Sequence, residues 1–119
     1  MAMTPKELQD RTKRFAVNVI LFVRELPATI DGREVGRQLL RAATSVAGNY
    51  RATCRARSRA EFIAKLGTVL EESDEALFWL ELIVDSKMKS QTRVEALMKE
   101  ADQLTAIFTA SLKTAKREP

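Results

Sequence analysis

Four times along this chain a small polar residue is followed three positions later by glutamate. The pairs are Thr4 and Glu7, Asp31 and Glu34, Ser58 and Glu61, and Thr92 and Glu95. In such a pair the short side chain accepts from the backbone N–H of the third helical residue, and the glutamate reaches back to the cap. Two donors that a helix start leaves orphaned are then satisfied together. One match is weak evidence; four, spaced 27, 27 and 34 residues apart, predict four helices of similar length. Pro5 adds a preset φ at the first position of helix 1.

Between these starts the apolar residues recur at helical spacing. Helix 1 carries Leu8, Phe15, Val19, Phe22 and Leu26, and stops at Pro27. Helix 2 aligns Val35, Leu39, Val46 and Tyr50. Helix 3 carries Phe62, Leu66, Val69, Leu70, Leu77, Leu80 and Val84. Helix 4 steps by three and four through Val94, Leu97, Ala101, Leu104, Phe108, Ser111 and Ala115. Single apolar seams of this kind pack at shallow crossing angles, and short connections make sequential helices antiparallel. The expectation is one all-α domain over residues 1–119, an antiparallel up-down-up-down four-helix bundle with helices at about 5–26, 32–57, 59–86 and 93–116. A length of 119 residues suits one core, and 4 Gly with 3 Pro suits helices.

Composition narrows the chemistry. The chain has no histidine, which removes the usual general base and the commonest metal ligand. Its one cysteine, Cys54, excludes an internal disulfide and a cysteine zinc site, and fits a reducing cytoplasm. Glu71, Glu72 and Glu75 cluster on helix 3, but carboxylate metal sites in bundles pair Glu with His. No catalytic residue, metal or cofactor is expected, and an enzyme is not. The N-terminus leads straight into an amphipathic helix, so neither a signal peptide nor a membrane span is expected.

Charge is segregated. Residues 31–59 hold seven arginines against Asp31 and Glu34, a net of +5, and residues 60–86 hold Lys65 against seven acids, a net of −6. Six arginines (Arg33, Arg37, Arg41, Arg51, Arg55 and Arg59) fall within an arc of roughly 80° if helix 2 runs through them all. Such a stripe is a candidate nucleic-acid footprint, since guanidinium forks suit phosphates. It is equally a candidate for pairing with the acids of helix 3, inside one subunit or between subunits.

Helix 3 also has an apolar surface wider than one seam. Phe78 and Trp79 lie outside the arc of Leu66, Leu70, Leu77 and Leu80. With Glu72 and Glu75 they form a candidate self-association surface. In the middle of helix 2, Ser45 and Asn49 are one turn apart beside Gly48; a structural network from Ser45 and Asn49 to Ser73 or Glu72 on helix 3 is expected.

These residues resemble a known family. The stretch Gln38–Arg51, with Ala42-Ala43-Thr44-Ser45 and Asn49-Tyr50-Arg51, resembles the helix 2 signature of bacterial four-helix-bundle proteins encoded within intervening sequences of large-subunit ribosomal RNA genes, whose members often carry a ribosomal-protein label. Arg57–Leu66 and Glu72–Ile83 resemble its helix 3 pattern, and the likeness runs from about Leu8 to Leu112. The resemblance implies a ring-like homopentamer of unestablished molecular function. It also implies a fold similar to the accessory protein of diversity-generating retroelements, a basic pentamer that binds nucleic acid and a reverse transcriptase. Family members commonly carry Glu just after the Asn-Tyr-Arg triplet, where this chain has Ala52.

Two expectations follow. One is a non-enzymatic homo-oligomer that binds RNA or DNA through phosphate contacts. The other is a protein-binding scaffold in which the arginines pair with helix 3 acids to hold the oligomer together.

Overall fold

The computed structural model describes residues 3–117. They form four helices: α1 (Pro5–Val23), α2 (Ile30–Thr53), α3 (Arg59–Asp85) and α4 (Gln91–Arg117). No strand occurs among the described residues.

Two of the expected starts hold. The Thr4 hydroxyl accepts from the Glu7 N–H at 3.1 Å while the Thr4 N–H donates to Glu7 Oε1 at 3.1 Å, a complete reciprocal cap. The Ser58 hydroxyl accepts from the Glu61 N–H at 3.1 Å. The other two are displaced. Thr29, not Asp31, caps α2, accepting from the Gly32 N–H at 3.1 Å. Asp31 instead sits in the first turn, where the helix dipole favours negative charge. The Thr29 hydroxyl and then nearby backbone N–H groups hold its carboxyl below the usual range. For α4 the Ser90 hydroxyl accepts from the Arg93 N–H at 3.3 Å, so Thr92 lies inside the helix.

The ends differ as well. α1 stops at Val23 rather than Leu26, because Pro27 disfavours helical geometry just before it. Tight turns follow, with the Glu25 N–H on Phe22 O at 2.9 Å and the Leu26 N–H on Val23 O at 3.2 Å. α2 stops at Thr53 rather than near Arg57, since the chain needs residues 54–58 to turn the corner into α3. α3 closes with Lys87 in the left-handed region at φ 63°. There the Met88 N–H reaches Ile83 O at 3.1 Å and the Lys87 N–H reaches Val84 O at 3.0 Å, the two bonds of a Schellman stop.

Each helix packs on its sequence neighbours, and α1 closes the bundle against α4 along its thinnest seam. The result is a rod of 49 × 25 × 20 Å. Phe15, Phe22, Leu39, Leu66, Leu80, Leu104 and Phe108 are wholly buried. Each contributes about 1.5–3 kcal/mol through loss of water contact. Tyr50 of α2 and Phe108 of α4 meet with ring centroids 5.6 Å apart.

The thin α1/α4 seam is reinforced by charge. Arg11 donates to both oxygens of Glu100 at 2.8 and 2.6 Å and to Gln103 at 2.8 Å. Arg93 pairs with Glu25 and lies 5.1 Å above the Phe22 ring. The Ser73 hydroxyl meets Thr105 on α4 at 2.9 Å, which corrects the expected network with Ser45 and Asn49. Ser73 points between α3 and α4, whereas Ser45 and Asn49 are half-buried on α2 and their side chains make no hydrogen bond among the described residues. No helix among the described residues is long and apolar enough to cross a membrane.

Candidate functional site

The six arginines do not form one stripe. α2 ends at Thr53, so Arg55 lies in the corner and Arg59 opens α3. Arg33, Arg37, Arg41 and Arg51 remain on the outward face of α2, and all six side chains are exposed.

Their partners divide them further. Arg41 reaches across to α3, 2.7 Å from Glu75 Oε1 and 3.9 Å from Glu72 Oε1. Arg37 pairs with Glu34 within its own helix. Arg59 donates from Nε and Nη2 to Ala115 O at 3.1 and 2.7 Å, satisfying a carbonyl in the last turns of α4. Arg33, Arg51 and Arg55 have no acidic partner among the described residues.

Two of these three meet cations from another helix. Lys6 and Lys13 on α1, Arg51 near the end of α2 and Arg55 in the corner beyond it line a groove of about 440 Å³, with Gln9, Asp10, Ala47 and Gly48 completing its walls. Asp10 is the single acid there and is held by Lys6 at 2.9 Å. The small side chains of Ala47 and Gly48 keep the floor open; a Cβ added at Gly48 meets nothing within 4 Å. The groove therefore offers four cationic side chains against one carboxylate.

Lys6 and Lys13 were missed in the sequence. Their seven-residue spacing puts them on one face of α1, but nothing local says that this face lies beside Arg51. The antiparallel pairing of α1 with α2 makes the site.

The α3 candidates also separate. Trp79 is half-buried against the core and donates from its indole N–H to Glu75 Oε1 at 3.3 Å. Phe78 is 50% exposed on the outward face, its ring edge-on to Trp79 with centroids 5.1 Å apart. Glu72 is mostly covered, and its Oε2 has no hydrogen-bond partner. Burial, then the Glu75 charge, pushes the Glu72 carboxyl above the usual range against the opposing pull of Arg41. Among the described residues no group of three or more Cys, Asp or Glu side chains is placed to hold a metal ion.

The profile of the 23S rRNA-intervening sequence proteins matches residues 6–110. The chain belongs to that family. A crystal structure of a protein of unknown function from the S23 ribosomal protein family of Bacteroides thetaiotaomicron VPI-5482 is similar to it, with 26% identity and a TM-score of 0.82 over 93% of this chain and 99% of that one. No curated protein matches the chain. Family membership accounts for the helix 2 and helix 3 signatures and for the fold. It assigns no molecular function to the groove.

Proposed function

We propose that this chain is a non-enzymatic, homo-oligomeric cytoplasmic bundle protein that binds nucleic acid by its phosphate backbone in the α1/α2 groove. The observation that carries the reading is the convergence of Lys6, Lys13, Arg51 and Arg55 on one open groove with a single acid. Lysine and arginine side chains replace the counterions of a phosphate backbone, so binding of this kind is strong at low salt and indifferent to sequence. No aromatic side chain lines the groove, which argues against base stacking as the source of affinity.

Self-association, itself part of the proposal, would add to the same reading. Each subunit carries a net +4, and five copies, the number implied by the family resemblance, raise this to about +20 on one particle. The alternative, a scaffold in which the whole set of helix 2 arginines serves only to hold the oligomer together, loses Arg41. That residue spends its charge on Glu75 within its own chain.

The test is fluorescence anisotropy with a short labelled RNA and a DNA duplex. Wild type is expected to bind both. Lys13→Glu with Arg51→Glu is expected to lose binding, and Arg41→Ala to keep it. Equal binding by wild type and the double reversal refutes the groove as the site.

A further inference from the structure

Two apolar surface features are left uncovered by the chain, and they lie level with each other. The first is Phe78, half exposed on the outward face of α3. Asp74 and Glu81, one turn to either side of it, are exposed and make no ion pair among the described residues. The second is a shallow apolar groove of about 340 Å³ between the end of α1 and the first turns of α2. Val23, Leu26, Gly36 and Leu40 line it, and Arg33 and Arg37 flank it. Gly36 sets its floor: a Cβ there would stand 3.1 Å from Leu26 Cδ1. Leu40 is half-buried yet is not packed against the core cluster, so its apolar surface is free for something else.

The pair Arg41–Glu75 fixes the register of α2 against α3. The two helices run antiparallel, so three residues up α3 from Glu75 correspond to three residues back along α2 from Arg41. Phe78 thus stands level with Gln38, between Gly36 and Leu40. At 1.5 Å per residue, both features lie roughly 10–12 Å from the same end of the rod.

We propose that Phe78 of one copy docks into the α1/α2 apolar groove of a second copy, with Asp74 and Glu81 facing Arg33 and Arg37. An aromatic knob, an apolar slot and two acids opposite Arg33, which has no acidic partner among the described residues, and Arg37, which is exposed and also pairs with Glu34, supply both burial and charge complementarity. This inference rests on the self-association part of the reading above and names the surfaces that carry it. Knob and slot are different patches, so the contact is head-to-tail, and each copy keeps one free knob and one free slot until the assembly closes. In a parallel contact, which sets Glu81 beside Arg33 and Asp74 beside Arg37, level features let successive copies pack without climbing along the rod, as a closed ring requires. Docking covers Arg33 and Arg37 and leaves Lys6, Lys13, Arg51 and Arg55 open at the other end. The arginines are thereby divided between assembly and phosphate.

The experiment is light scattering on wild type, Phe78→Asp and Leu40→Asp, singly and mixed, with far-UV circular dichroism on each. Wild type is expected to exceed a dimer. Each variant is expected to be a helical monomer of 13.4 kDa, associating at least ~30-fold more weakly than wild type. The equimolar mixture is expected to give a species of twice that mass and nothing larger, because one intact knob meets one intact slot. Arg33→Glu with Arg37→Glu, at exposed positions, is a second slot variant should Leu40→Asp fold poorly. A wild type that assembles alongside variants of unchanged size overturns the docking and leaves self-association standing. A monomeric wild type overturns both. Folded variants that stay monomeric when mixed overturn the head-to-tail pairing.

Discussion

Gly48 sits in the interior of α2, exposed, where glycine costs about 0.8–1 kcal/mol relative to alanine. A Cβ added there meets no atom within 4 Å, so nothing offsets the gain. Gly48→Ala is therefore expected to stabilise the fold by about 1 kcal/mol. For a chain of 119 residues that is a rise in Tm of about 4 °C. The other glycines calibrate the argument. Gly67, in α3, is equally open and is expected to give a similar gain. At Gly36 the added atom comes 3.1 Å from the flexible end of Leu26, so the gain shrinks. At Gly32 it would stand 2.1 Å from the Pro27 carbonyl oxygen, so the backbone must shift and Gly32→Ala is expected to destabilise by about 1–3 kcal/mol. Thermal and urea melts at one protein concentration give the order. A neutral Gly32→Ala, or a Gly48→Ala that fails to stabilise, refutes the reasoning. Gly48 also floors the basic groove, so Gly48→Leu, which fills it, is expected to weaken nucleic-acid binding, while Gly67→Ala leaves binding unchanged.

Other perturbations test the packing and the charges. Phe108→Ala removes a wholly buried ring against which Tyr50 packs and is expected to cost about 3–5 kcal/mol in urea melts. Lys87→Gly relieves the left-handed backbone at φ 63° and is expected to stabilise by about 1 kcal/mol in the same assay. Glu72→Gln removes a charge that burial and the neighbouring Glu75 disfavour and is expected to stabilise at neutral pH. The sign follows from the raised folded-state pKa of Glu72, with burial its first cause and Glu75 its second. The folded chain binds that proton more tightly than the unfolded one. The cost is therefore fully present above the folded pKa and relieved as pH falls from there toward the unfolded value of about 4.3. Melts of both proteins across that range should show the advantage of Glu72→Gln shrinking as pH drops.

The sequence carried the architecture because helix seams and caps are local signals. Leu8, Phe15, Val19 and Phe22 are buried as their spacing requires, and Thr4 and Ser58 cap where the pattern places them. The errors arose where several residues competed for one role. Thr29 and Asp31 are both good caps, and only the tight approach of Gly32 to Pro27 shows that the chain turns at Thr29. Extending α2 to Arg57 aligned six arginines that the corner at residues 54–58 separates. Ser73 was paired with the wrong neighbour because a buried hydroxyl on α3 faces either α2 or α4 by a rotation that spacing does not fix to better than a residue. The groove was illegible for a simpler reason. Lys6 and Lys13 lie more than thirty positions from Arg51, and only the packing of α1 on α2 joins them.

The central claim, phosphate binding in the α1/α2 groove, is tested most directly by the salt dependence of binding to a DNA duplex. Each phosphate contact lowers the slope of log K against log salt by about 0.9. With Lys6 shared with Asp10, three to four groove cations are available to phosphates, for a slope of about −3 per engaged subunit. Arg51→Ala with Arg55→Ala is expected to flatten that slope by about 2 units while the helical signal stays unchanged. A slope identical in wild type and variant, or no binding by wild type at low salt, contradicts the account.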